Sequence, residues 1–371
     1  MKGSIKVGNL FGIPFYIHPS WFLVLSLMTL TLGVDLAYQT SLPGILPWLL
    51  GLLASLLLFA SVLAHELGHS FVAQSQGIKV KSITLFIFGG LATLEKESNT
   101  PLEAFLVAIA GPVVSLIIFS ILLFIETHVA MPLFLRSIVS LLATINLILA
   151  LFNMIPGLPL DGGNVLKAIV WKITGNPQKG IIFAGHVGEF FGWTAVMVGL
   201  LGTLGIIPFG SIWTALVGWF LLQNAGIAAQ SAEIEDRLKH YLAREAVTPN
   251  SPIVRGDLTI REFVNEYIIG KKAWQRFLVT DENGILIGVI PVEKLRTIPT
   301  SQWNEIRVAE AMNPKDDIKT VVETVSLLEV VRLLEQNKES EVTVVREDGY
   351  VLGLVEKQGI INFLQSRLQT S

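Results

Sequence analysis

The chain has 371 residues, 51% of them hydrophobic and 15% charged, and a mean hydropathy of +0.60, too apolar for a soluble protein of this length. A formal net charge of −3 with no basic patch argues against nucleic acid as a partner. The complete lack of cysteine excludes disulfides and thiolate metal ligands.

The apolar excess ends near residue 230, and the remainder has the composition of an ordinary soluble domain. The expected fold class is an α-helical polytopic membrane protein of about six transmembrane helices with a short membrane-associated β-hairpin, joined to a soluble α/β module. The expected boundaries are a membrane domain over residues 1–230, a charged linker helix over 231–243 and a soluble tail over 244–371.

Lys2 and Lys6 precede the first apolar run and no small-residue cleavage site follows it, which reads as an uncleaved first span. Asn9–His18 is aromatic and broken by Pro14, the pattern of an interfacial lead-in. Spans are predicted over Pro19–Leu36, Leu46–Gln76, Leu102–Ile125, Pro132–Ile155, Ile181–Leu204 and Ile207–Ala229. After the second span, Lys79–Phe88 is rich in β-formers, and Gly89-Gly90 offers a tight turn before Leu91–Leu94. A hairpin too short to cross the membrane is expected there, with an irregular loop as the alternative. Lys2, Lys6, Lys79, Lys81, Lys96, Lys167, Lys172, Lys179, Arg237 and Lys239 fall on one side of six spans, and only Arg136 on the other. The positive-inside rule makes the first side cytoplasmic, with both termini and the soluble tail.

The second span carries His65-Glu66-Leu67-Gly68-His69. On a helix, residues four apart face the same way, so both imidazoles can reach one zinc ion. Glu66 stands beside the first of them, placed to take a proton from water held at the metal. Two histidines and a carboxylate inside a membrane-length apolar run are costly to keep and point to function. Counted back from Gly77 at 1.5 Å per residue, they lie roughly 12–18 Å below the cytoplasmic face.

The fourth span runs into Asn153-Met154-Ile155-Pro156-Gly157-Leu158-Pro159-Leu160-Asp161-Gly162-Gly163-Asn164. The prolines and glycines must break the helix, and a break at membrane depth needs a protein or aqueous cavity around it. Asp161 is thereby available as a third ligand, with a fourth position open for water. Taken alone, the segment also reads as a turn in which Asp161 caps the next helix. Asn153 is a neutral donor suited to a carbonyl oxygen or a substrate backbone.

His65-Glu66-x-x-His69 followed by Asn153-x-x-Pro156-x-x-Pro159-Leu160-Asp161-Gly162 resembles the site-2 protease family of intramembrane zinc metalloproteases. Gly12-Ile13-Pro14, His18-Pro19-Ser20, Gly89-Gly90 and Ala110-Gly111-Pro112 are also similar to that family, and the match covers about residues 8–230. The resemblance implies one zinc ion held by His65, His69 and Asp161, with Glu66 as catalytic base. It implies substrates that are membrane-spanning helices in the lipid bilayer, such as a membrane-bound transcription regulator or anti-sigma factor. Ser115 departs from the pattern, since relatives often have Asn there; the departure is expected to leave the zinc site untouched. A substrate helix must unwind before cleavage, and the edge of the 79–94 hairpin could pair with the extended segment. Glu189 reads equally as a cavity residue or a partnered structural carboxylate. His18 and His128 read as interfacial, and Asn146, Gln223 and Asn224 as hydrogen-bonders between helices.

The tail repeats itself: Glu245-Ala246-Val247-Thr248-Pro249 answers Glu310-Ala311-Met312-Asn313-Pro314, each followed by strand, helix and two strands. This resembles a tandem pair of cystathionine-β-synthase (CBS) domains, about residues 244–300 and 308–368. The resemblance implies one folded module, regulatory or supporting a homodimer, and leaves adenine-nucleotide binding open. Nucleotide-binding copies usually carry Ser or Thr and then Asp where this chain has Pro291 and Lys294, and Glu356 and Gly359. A competing reading, a CBS-regulated channel or transporter, calls for repeated halves with broken helices in corresponding places. The membrane half has one broken helix and no internal repeat.

Overall fold

The six predicted spans are helices. In the computed structural model, which describes residues 3–40, 43–87, 89–270, 274–315 and 318–368, the chain divides into two units, Met1–Glu233 and Ile234–Ser371. Its first seven helices are α1 (Ser20–Thr40), α2 (Leu46–Ser75), α3 (Pro101–His128), α4 (Leu133–Asn153), α5 (Asp161–Thr174), α6 (Pro177–Thr203) and α7 (Ile212–His240). All but α5 are long and apolar enough to cross a membrane, with mean hydropathies from 1.4 to 2.7.

Their packing inverts that of a soluble bundle. On α2 the inward face carries Gly51, Ala54, Ser55, Ser61, His65, Gly68 and Ala73, while Leu49, Leu53, Leu56 and Leu57 are exposed. In lipid, leucine gains nothing by hiding, so small residues that let backbones approach take the interior. A Cβ on Gly51 would stand 2.7 Å from the Gly33 nitrogen, which is how closely α1 and α2 cross. On α6, Gly185, Gly192 and Gly199 do the same for Ala229, Leu222 and Ala215 of α7. The charged segment expected as a separate linker helix over 231–243 continues α7 without a break as far as His240.

The hairpin exists but belongs to a larger sheet. β1 (Ile5–Leu10), β2 (Ile13–Ile17), β3 (Val80–Phe86) and β4 (Gly89–Leu94) lie in that order. β1 and β2 pair antiparallel, β2 and β3 parallel, and β3 and β4 antiparallel. The lead-in expected to be broken at Pro14 is a strand of a hairpin that runs on through Pro14, turned at Phe11 and Gly12 with φ of 52° and 81°. Pro14 misled the reading because it costs nothing there: it faces Asn9 on β1, and the β2–β3 ladder begins only at Phe15. Ile13, Ile78 and Ile83 close the sheet over Ala73 of α2. Gly89 and Gly90 sit in β4, opposite Phe86 and Leu85, rather than in the turn. Residue 88 lies outside the described residues.

The second unit is an α/β module of two similar halves. The first holds β5 (Ile253–Arg255), α8 (Ile260–Phe263), β6 (Arg276–Thr280) and β7 (Leu286–Pro291). Then come α9 (Val308–Ala311) and β8 (Asn313–Pro314), and the second half holds β9 (Thr320–Val322), α10 (Leu327–Gln336), β10 (Glu341–Val345), β11 (Val351–Glu356) and α11 (Lys357–Leu368). The sheets run β5-β6-β7-β8 and β11-β10-β9. The repeated motif is exchanged between halves. Ala243 and Ala246 pack with Val321, Leu327 and Val355 of the second half, and Val308 and Ala311 with Val254, Ile260 and Phe277 of the first. Each half lacks part of its core until the other copy's leading segment fills it, so the two fold as one unit.

Candidate metal centre

His65 lies on the buried face of α2 and His69 one turn on, with their Nε2 atoms 3.3 Å apart. Asp161 closes the triangle: Oδ2 is 3.0 Å from His65 Nε2 and Oδ1 is 3.3 Å from His69 Nε2. One ligand atom from each lies within 4.8 Å of the others, the one such His/Asp/Glu group among the described residues.

Each imidazole is held from behind. His69 Nδ1 donates to the Val107 carbonyl at 2.6 Å; a carbonyl only accepts, so the neutral ring keeps its lone pair on Nε2. His65 Nδ1 is 2.9 Å from Ser115 Oγ. Lone pairs of two imidazoles and a carboxylate aimed at one point repel each other unless a cation stands among them. Tetrahedral ligands about 2.0–2.1 Å from zinc lie ~3.4 Å from one another, close to the spacing of these atoms. The donor set fits a zinc ion. Gly111 explains the Ala-Gly-Pro signature, since a Cβ there would meet His69 Nε2 at 2.2 Å and His65 Nε2 at 2.6 Å. Ser115, where the chain departs from the family pattern, is fully buried with its hydroxyl against His65 Nδ1.

Asp161 reaches the site because three glycines fold the chain back beneath the end of α4. Any side chain at Gly162 would strike the Met154 carbonyl at 2.3 Å, at Gly163 the Gly157 backbone at 2.3 Å, and at Gly157 the Gly188 Cα of α6 at 2.6 Å. Leu160 is the N-cap of α5 and Asp161 its first residue. Asp161 therefore opens α5 without capping it, since the cap position is Leu160 and no side-chain cap bond is made there, and the helix N-terminus favours the carboxylate.

Glu66 is held by β4, the edge strand. The Ala92 N–H donates to Glu66 Oε2 at 3.1 Å, and Gly90 packs so closely that a Cβ would meet Glu66 Cγ at 2.4 Å. A cavity of about 370 Å³ joins these parts, lined by His65, Glu66, His69 and Asp161 together with Asn153, Asn164, Lys167 and Trp171. Asn153 therefore opens on the same space as His65, His69 and Asp161. Glu189 has a partner, His186 Nδ1 at 3.0 Å. Asn146 joins α4 to α2 through Ser61 Oγ at 3.0 Å, whereas Asn224 bonds back to Phe220 of its own helix. His18 Nδ1 lies 2.8 Å from Ser20 Oγ. Asn164 and Lys167 were legible as site residues only through the three-residue spacing from Asp161, which puts them on one face of a helix. The Val107 carbonyl carries no side-chain signal at all.

Comparison with known proteins settles the family. Residues 53–133 and 124–188 match Peptidase family M50, and residues 308–366 match the CBS domain. The Synechocystis sp. protein sll0528 is 56% identical over 99% of this chain and 97% of its own. The chain belongs to peptidase family M50. It is a multi-pass, site-2-type zinc metalloprotease with a C-terminal CBS module. This M50 peptidase is also similar to the zinc metalloprotease MJ0392 of Methanocaldococcus jannaschii, 29% identical over 91% of this chain and 93% of that one. The solved site-2 protease from Methanocaldococcus jannaschii aligns with a TM-score of 0.44 at 30% identity, over 61% of this chain and 95% of that one.

Proposed function

We propose that His65, His69 and Asp161 hold a zinc ion at which Glu66 activates water to cleave peptide bonds within or near substrate transmembrane helices. The observation that carries this reading is the cluster of two imidazole Nε2 atoms and the two Asp161 oxygens, with contacts of 3.0 to 3.3 Å, opening on one cavity with Glu66. Zinc there supplies a Lewis acid for the scissile carbonyl and brings the ionisation of water into the neutral range. Glu66, steadied through Oε2 by Ala92, takes the proton of the attacking water and passes it to the leaving amine. Asn153 donates from the cavity wall to the carbonyl oxygen on which charge develops. An unwound substrate segment pairs with the free edge of β4, which lines the cavity through Gly90, Ala92 and Leu94. The distribution of lysines supports a cytoplasmic location for both termini and the CBS module.

In the CBS module, residues 244–371 after the 231–243 segment, we favour a regulatory or dimerising role. Two of the four positions usually given to ribose and phosphate are already engaged: Lys294 Nζ donates to Asn313 Oδ1 at 2.7 Å, and Glu356 accepts from Thr248 Oγ1 at 3.3 Å. Calorimetric titration of the full chain in detergent with ATP and AMP tests the adenine-nucleotide alternative. Membrane-bound transcription regulators and anti-sigma factors fit the substrate class. The deciding experiment is Glu66→Gln: zinc content should stay at one per chain while cleavage of a single-span test substrate disappears. Cleavage that persists would refute the assignment of the base.

A further inference from the structure

The cavity extends well beyond His65, His69 and Asp161, and its walls carry an ion pair. From Asp161, α5 presents Asn164, Lys167 and Trp171 to the cavity at helical spacing, while β4 and the segment after it present Leu94, Glu97 and Ser98 opposite. The two walls meet in an ion pair, Lys167 Nζ and Glu97 Oε2 at 2.8 Å. The two partners are unequal. The Lys167 side chain is only 13% exposed, whereas that of Glu97 is 69% exposed. An exposed carboxylate regains water when it leaves, but a recessed ammonium left unpaired loses much of its solvation. The site thus holds a fixed cation whose partner is cheaply exchanged for another carboxylate.

We propose that Lys167 is a specificity residue that receives a substrate carboxylate, and that Glu97 occupies this subsite until the substrate displaces it. Lys167 is six residues beyond Asp161, about 9 Å along the helix. An extended strand advances roughly 3.3 Å per residue. The recognised acidic side chain therefore lies about three residues from the scissile bond. This inference rests on the protease reading above, because it needs the substrate extended along the same cavity.

The test uses the full-length protein in proteoliposomes and a single-span test substrate whose cleavage site is mapped by mass spectrometry. Single Glu, Gln or Lys residues are placed at positions two to four on either side of that site. In the wild type, kcat/KM at one position should favour Glu over Lys by about five- to ten-fold. Lys167→Glu should invert that preference, and Lys167→Arg should keep it. Glu97→Gln, on an exposed loop, should raise the Glu-to-Gln ratio by removing the competing carboxylate, and it keeps the idea testable if Lys167 variants fold poorly. The inference is overturned if no position shows a charge preference, if Lys167→Glu lowers all substrates alike, or if Glu97→Gln leaves the ratio unchanged. If the wild type cleaves nothing that Glu66→Gln spares, the protease reading itself has failed, which is a different result.

Discussion

Ser115→Ala isolates the hydroxyl behind His65. Ser115 is 0% exposed and His65 3% exposed, so no bulk water replaces the 2.9 Å contact when Oγ is removed. An imidazole that ligates through Nε2 carries its proton on Nδ1, and that N–H is left buried without a partner. Such a loss costs about 1–3 kcal/mol, and 1.4 kcal/mol is roughly ten-fold in a binding constant. Zinc affinity should therefore fall by ~5- to 150-fold, a range that includes the usual 10- to 100-fold effect of losing a ligand's supporting hydrogen bond. The assay is competition of the purified protein with a chelator of known affinity, read by metal content. Ser120→Ala on the same helix is the control, because its hydroxyl bonds only to the exposed Leu116 carbonyl. Equal zinc affinity for Ser115→Ala and wild type would refute the reasoning and mean that packing alone orients His65.

Gly111→Ala should reduce zinc content more than Ser115→Ala does, since moving a Cβ from 2.2 Å to an ordinary contact displaces an imidazole by about 1 Å; metal analysis after dialysis reads this. Ala92→Pro deletes the N–H that holds Glu66 Oε2 on an edge strand that tolerates proline, so kcat should fall by about ten-fold or more with zinc retained. Gly288→Ala sets a Cβ 2.3 Å from the Asn313 carbonyl; it should lower the unfolding temperature of the CBS module by several degrees while zinc content stays at the wild-type level.

The spans and the facing of His65 and His69 were readable because each rests on a strong local signal. Long apolar runs have few alternatives, and His65 and His69 at helical spacing leave one direction to face. The first hairpin was missed because Pro14 reads as a break in a linear pattern, and only the strand register shows that its absent N–H faces no ladder partner. The contact of Ser115 with His65 was missed for a different reason. A hydroxyl fifty residues from His65 becomes its partner only through the packing of α3 on α2, which the sequence encodes in Gly68 and Gly111 as close contacts rather than as a pattern. The exchanged segments of the CBS module share that origin: the repeat was plain, but which half each copy completes depends on long-range packing.

These contacts also constrain how the proposed reaction is organised. The outward-facing groups of an antiparallel edge strand alternate along it, and on β4 the outward N–H of Ala92 is already engaged by Glu66. A substrate strand added to that edge must therefore pair through the neighbours of the same parity, Gly90 and Leu94. That fixes its register to the position of the base. Gly90 has no side chain because Glu66 lies against it, so the strand that would receive the substrate and the carboxylate that would activate water are one packed assembly. Any shift of β4 moves both together, and binding in the wrong register leaves the scissile carbonyl away from the metal ligands. On the proposed mechanism the sheet would do more than hold a peptide: it would couple where the chain is held to where it is cut.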